Sequence, residues 1–298
     1  MAIFLTVALL SAGPSGAGDE SWPVPAQEAA GAAGSPFEID LALDLPLLGA
    51  AVAAAAVPAL FVRDLGGPAC GASCDPSGLN ALDRTVVGNR SPGAARASDA
   101  LLGLGLALPF ALDLVDVLVS RPGDGFHGYG KDTLVLAQSL ALSLALNQAL
   151  KLAVRRPRPY AYDPAVPPAE RGAAEAGLSF YSGHAALAFT AATAYATLFT
   201  LRHPDSGWVV PVWLGTHLLA ASTAYLRVHA GKHFWTDVLA GALVGSAVGW
   251  VVPFLHRQAG PARAAGSGLG AREGARFGLA PLPLPGGGGL VLEVRLEP

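Results

Sequence analysis

Apolar runs recur along the chain at 41–62, 100–119, 133–154, 185–201, 208–226 and 238–255. Each is close to the ~20 residues that an α-helix needs to cross a hydrocarbon core. Glycines between 123 and 130 break the pattern before the third run. Pro157, Pro159, Pro164, Pro167 and Pro168 end it and keep the next loop extended. His203 to Gly207 forms a tight turn between the fourth and fifth runs. The pattern predicts an all-α fold, a six-helix transmembrane bundle. Several runs are rich in alanine and carry polar side chains, so a soluble all-α core remains the alternative. In the tail, apolar and other residues alternate on either side of the glycines at 286–289, which predicts a small C-terminal β-hairpin. The stretch 37–41 alternates in the same way and is a candidate to pair with it.

The chain starts with a short apolar run, 1–13, followed by Gly16, Ala17 and Gly18. This reads as a secretory signal peptide, although it lacks the usual basic residues in front. The expected organisation is a signal peptide at 1–18, a linker rich in alanine, glycine and proline at 19–36, and a six-helix domain at 37–256 with its core at 100–256. A linker and tail at 257–298 carry the hairpin. No repeat with a period of 20–50 residues is present, which excludes a solenoid.

Composition supports the membrane reading. Of 298 residues, 52% are hydrophobic and only 14% are charged, against about a quarter charged in an average soluble domain. A net charge of −3 supplies no basic field for nucleic acid, and none is expected as a partner. Cys70 and Cys74 lie close together without the further ligands that a zinc site needs. They read as a local disulfide in an oxidising compartment or as two free thiols.

Three polar motifs interrupt the apolar pattern. Lys151 is followed by Arg158 and Pro159; Tyr181, Ser182, Gly183 and His184 follow; then come Arg227, His233 and Asp237. Cations are costly inside a membrane, so Lys151, Arg158 and Arg227 belong at its surface or in a polar cavity. Ser182-Gly183-His184 sits where the fourth helix begins, and free N–H groups there favour an anion. His233 and Asp237 share a helix face if a helix starts between them. Together these groups suit phosphoryl transfer. Arginines and a lysine hold phosphate oxygens, one histidine attacks phosphorus, and another protonates the leaving oxygen and then activates water. Arg155 and Arg156 read as a membrane-surface anchor, His229 and Lys232 as spacer positions, and Asp113 and Asp116 as interfacial groups at the opposite end.

The ordered set K-x6-R-P, Y-S-G-H and R-x5-H-x3-D resembles the signature of the type 2 phosphatidic acid phosphatase and vanadium haloperoxidase superfamily. The resemblance spans about 101–255. It implies His233 as nucleophile, Asp237 as the group orienting it, and His184 as general acid. It assigns Lys151, Arg158, Arg227 and the Ser182-Gly183 backbone to the phosphate, with neither metal nor cofactor. Tyr181 stands where many members have proline, as in the lipid phosphate phosphatase branch, and Leu226 stands where many have serine. The expected function is hydrolysis of a lipid-linked phosphate or diphosphate in a membrane, through a phosphohistidine. A soluble periplasmic acid phosphatase and a non-catalytic membrane protein with a retained phosphate pocket are the alternatives.

Sidedness is contested. Lys and Arg near short loops mark the cytoplasm, and they are more numerous on the catalytic side. Lys151 and Arg158 are there for chemistry, however, and a disulfide between Cys70 and Cys74 would need an oxidising space. The resemblance also implies an outward-facing site. The expectation is a bacterial inner-membrane protein with its site toward the periplasm.

Overall fold

The computed structural model describes residues 35–62, 67–71, 74–120, 125–258, 276–284 and 287–295. The expected signal peptide at 1–18 and nearly all of the linker at 19–36 lie outside the described residues. Residues 1–258 and 259–298 are separate compact units.

The first unit is all-α. Its helices are α1 (Leu41–Phe61), α2 (Ala81–Arg84), α3 (Pro92–Ser120), α4 (Gly125–Val154), α5 (Pro168–Arg171), α6 (Gly183–Arg202), α7 (Val209–His229) and α8 (Trp235–Leu255). Six of them, all but the short α2 and α5, are long and apolar enough to cross a membrane. Their outer faces present Leu60, Leu218 and Leu243, which are 75%, 67% and 73% exposed. Apolar faces of this kind need lipid around them. The chain is an integral membrane protein, which removes the soluble alternative.

Two helices start well before the apolar runs that announced them. The first turns of α3 carry Arg96, Ser98 and Asp99, and those of α4 include residues 125–130, expected to be a loop. Gly128 is buried there, and its carbonyl accepts from Arg202 Nη2 at 3.5 Å. Arg202 also pairs with buried Asp132 at 2.6 Å. Tertiary contact therefore holds a helix that local propensity would break.

α6 is the central helix and touches α3, α4, α7 and α8. Small residues allow this. Gly241, Gly245 and Gly249 recur every fourth position along α8, and a methyl group on any of them would meet the carbonyl oxygens of Ser182, Ala186 or Thr190. Backbones this close pack by van der Waals contact, which is what drives helix association in lipid.

Polar pairs tie the far end of the bundle together. His256 Nε2 lies 3.1 Å from Asp44 Oδ1, and Gln138 donates to the same carboxylate. His203 Nε2 meets Asp116 Oδ2 at 2.8 Å, so Asp116 is part of a helix–helix tie. Phe37 forms an isolated antiparallel bridge with Arg257, two residues past the end of α8. The second unit contains two antiparallel strands, β1 (Arg276–Leu284) and β2 (Gly287–Arg295).

Candidate active site

Chain direction brings the motifs together. α4 and α7 end, and α6 and α8 begin, at the same end of the bundle. Lys151 lies in the last turn of α4 and Arg227 in that of α7. Ser182 caps α6, His184 is in its first turn, and Asp237 is in the first turn of α8. Arg158 and His233 occupy the intervening loops. Arg155 ends α4 with φ 49°, a left-handed turn that redirects the chain.

His233 is 2% exposed. Its Nδ1 lies 2.9 Å from the carbonyl oxygen of Ser179. A carbonyl can only accept, so Nδ1 carries the hydrogen and Nε2 keeps its lone pair. Burial pushes His233 down to about 3; Asp237 opposes this, while Arg158 and Lys151 add to it. The ring is therefore neutral at any physiological pH.

Asp237 was expected to orient this ring directly. Its Oδ2 is 3.8 Å from His233 Nδ1, too far for a hydrogen bond. Oδ2 instead accepts from Ser179 Oγ at 2.5 Å and from Phe234 N at 3.0 Å. Asp237 thus holds the loop carrying Ser179 and the chain at Phe234, and positions His233 through both.

Arg156 is not a surface anchor. Nη1 donates to Asp237 Oδ1 at 2.5 Å and Nη2 to Asp83 Oδ2 at 2.7 Å. The guanidinium also stacks over Phe234, 4.4 Å from the ring centre. Asp83 accepts from Thr236 N and Oγ1 and from Asn80 Nδ2. Burial would raise its pKa, but the Arg156, Thr236 and Asn80 donors hold it below the usual carboxylate value. The Asp83–Arg156–Asp237–Ser179 chain forms a buried floor beneath His233.

The anion cradle is built above this floor. Arg158 Nε donates to the Glu175 carbonyl at 2.8 Å, and Nη2 pairs with the Glu175 carboxylate at 3.2 Å. Arg158, Arg227 and Lys151 are near enough to act on one another electrostatically. Three cations gathered in one place favour an anionic ligand. Ser182 N is already used, donating to the Asp237 carbonyl at 3.1 Å, and Ser182 Oγ caps α6 through Ala185 N. The first-turn N–H groups of Gly183 and His184 have no intrahelical acceptor. Asn147, 1% exposed, donates to the Tyr181 carbonyl at 2.7 Å and sets this turn. Gly231, with φ 66°, lets the loop before His233 pass against the Asn89 carbonyl, where a Cβ would collide. Lys232 is more than a spacer residue: its carbonyl accepts from Arg158 Nη1 at 3.4 Å, and its ammonium sits 5.1 Å above Tyr160.

Asp99, from the early part of α3, also enters the site. Its Oδ1 lies 2.8 Å from His184 Nε2 and 3.0 Å from Arg227 Nη1. Asp83, Asp99 and Ser179 stand outside the three motifs, and Arg156 was expected to be a membrane-surface anchor. An acid at the start of an otherwise apolar helix, on the same side as the motifs, was the available signal for Asp99. Cys70 and Cys74 are joined in a disulfide, and Cys74 packs with Ala161, Ala176, Tyr160 and Tyr162 on this same side.

Among solved structures, a transmembrane PAP2-type phosphatidylglycerolphosphate phosphatase from Bacillus subtilis is 22% identical. That match covers 71% of this chain and 94% of the other, at a TM-score of 0.43. Aquifex aeolicus LpxE is 25% identical over 58% of this chain and 93% of the other, at a TM-score of 0.40. The profile of the PAP2 superfamily matches residues 132–260, a span that contains all three motifs. Over residues 132–260 the chain is similar to the PAP2 superfamily.

Proposed function

We propose that the protein is a membrane phosphatase that hydrolyses a lipid-linked phosphate or diphosphate through a phosphohistidine on His233. The observation that carries this reading is the hydrogen bond from His233 Nδ1 to the Ser179 carbonyl, which leaves a neutral Nε2 lone pair on a ring that Arg158 and Lys151 reach electrostatically. Arg158, Arg227, Lys151 and the Gly183 and His184 N–H groups hold the phosphate oxygens. His233 Nε2 attacks phosphorus, and the bond from phosphorus to the lipid oxygen breaks. That oxygen takes a proton from His184. A water then gives a proton back to His184 and attacks phosphorus, the P–N bond breaks, and inorganic phosphate leaves. The cradle stabilises charge spread over the equatorial oxygens in both steps. Asp237 and Arg156 hold the floor and do not touch substrate. No step requires a metal.

A site at one end of six spans suits a substrate whose phosphate lies at the membrane surface and whose chains stay in lipid. The disulfide on the catalytic side favours an oxidising compartment, hence the periplasmic face. Purified protein in detergent, assayed for phosphate release from a panel of lipid phosphates with and without chelator, tests the reading. Turnover that survives chelator and disappears in His233→Ala supports it. No turnover on any lipid phosphate, or turnover that needs a metal, contradicts it. Labelling of Cys70 and Cys74 in intact cells after mild reduction tests the sidedness. Labelling only after the inner membrane is permeabilised would put the site in the cytoplasm.

A further inference from the structure

We infer that Asp99 is a specificity-determining residue that stands in for a substrate oxygen while the site is empty. The inference rests on the phosphatase reading above. Asp99 Oδ1 accepts from His184 Nε2 at 2.8 Å and from Arg227 Nη1 at 3.0 Å. These are the same two groups to which that reading gives the leaving oxygen and the phosphate. One oxygen held by both marks where a phosphate oxygen would sit.

The surroundings fit a temporary occupant. The Arg227 side chain is 9% exposed and that of Asp99 59%. Arg227 is further fixed by a hydrogen bond to Ser98 Oγ at 3.2 Å. A buried guanidinium without a counter-charge is costly, and Asp99 supplies one when no substrate is bound. Its carboxylate, largely open to water, can leave without being stranded in lipid. It sits in the first turns of α3, a helix that carries none of the three motifs.

An anion entering the cradle must compete with this carboxylate. A phosphate dianion with several oxygens can displace it and also reach Arg158, Lys151 and the α6 N–H groups. A singly charged anion, or one with fewer oxygens, gains less from the other donors and competes poorly. Asp99 therefore raises the threshold for occupancy and favours release of inorganic phosphate after turnover.

The test is direct binding of orthovanadate and of inorganic phosphate to purified full-length protein in detergent, followed by calorimetry and by thermal shift. Asp99→Asn and Asp99→Ser should bind both anions about tenfold more tightly than the parent, the worth of one charge-assisted hydrogen bond no longer in competition. Asp99→Glu, which keeps the charge, should stay near the parent affinity. A purely structural role would not tighten binding, so unchanged or weaker affinity in both neutral variants overturns the inference. Either neutral variant suffices if the other fails to fold. If the parent binds neither anion, the cradle and the phosphatase reading fail with it. If the parent binds both and the variants do not gain, only the role of Asp99 fails.

Discussion

His233 Nδ1 donates to the backbone carbonyl of Ser179 at 2.9 Å, while Asp237 stays 3.8 Å away. Asp237 acts through Ser179 and Phe234. Asp237→Asn should therefore cost both rate and stability. The Asp237 carboxylate is fully buried, and its loss leaves Arg156 short of a partner. Removing one member of a buried pair costs about 3–5 kcal/mol. Ser179→Ala removes the hydroxyl but keeps the carbonyl, and should cost only about 1–2 kcal/mol with most activity retained. Thermal unfolding and turnover in the same detergent check both variants. Equal losses in the two would contradict the arrangement.

Neighbouring arginines should behave differently. Arg156→Ala leaves Asp83 and Asp237 facing each other without their shared cation, and should cost about 3–5 kcal/mol with turnover lost. Arg155 is exposed and its Nη2 donates to the Gly67 carbonyl at 3.4 Å, so Arg155→Ala should cost no more than about 1 kcal/mol. Melting temperatures of the two variants decide. A severe Arg155→Ala beside a mild Arg156→Ala would reverse the assignment.

Acid–base chemistry by two histidines ordinarily gives a bell-shaped pH dependence set by two histidine-like pKa values. Burial alters this for His233, whose value falls to about 3. A lowered value favours the neutral ring, so the nucleophile is ready from neutral pH down to about pH 4. Nitrogen NMR of labelled histidine in micelles, with His233 assigned by comparison with His233→Gln, should show the Nδ1–H tautomer unchanged from pH 8 to pH 5. Titration near 6.5 would contradict the buried, carbonyl-bonded ring.

The spans and the motif residues were legible because they are local: apolar length for the helices, ordered spacing for Lys151, Arg158, His184, Arg227, His233 and Asp237. What was not legible depends on contacts distant in sequence. Arg156 meets Asp83 across 73 positions, and nothing in the pair Arg155-Arg156 says which one turns inward. The left-handed turn at Arg155 decides that. Asp99 lies 85 positions from His184. The early starts of α3 and α4 were hidden because glycine and polar residues there are held by packing.

The α6–α8 contact offers a test of the bundle itself. A methyl group at Gly245 would overlap the Ala186 carbonyl, whereas one at Gly215 meets nothing within 4 Å. Gly245→Ala should destabilise by about 1–3 kcal/mol through overpacking. Gly215→Ala, in the middle of α7, should be neutral or stabilising by up to about 1 kcal/mol. Unfolding of the two variants in matched detergent gives the comparison, and equal stability would argue against the close α6–α8 approach.

The central claim is a covalent phosphate on His233. Protein mixed with lipid substrate carrying a labelled terminal phosphate, quenched in alkali within milliseconds, tests it directly, because phosphohistidine survives base and is lost in acid. The account predicts label on the wild-type chain, carried by the peptide containing His233, and none on His233→Ala. An unlabelled wild-type chain during active turnover, or label that persists in His233→Ala, would contradict it.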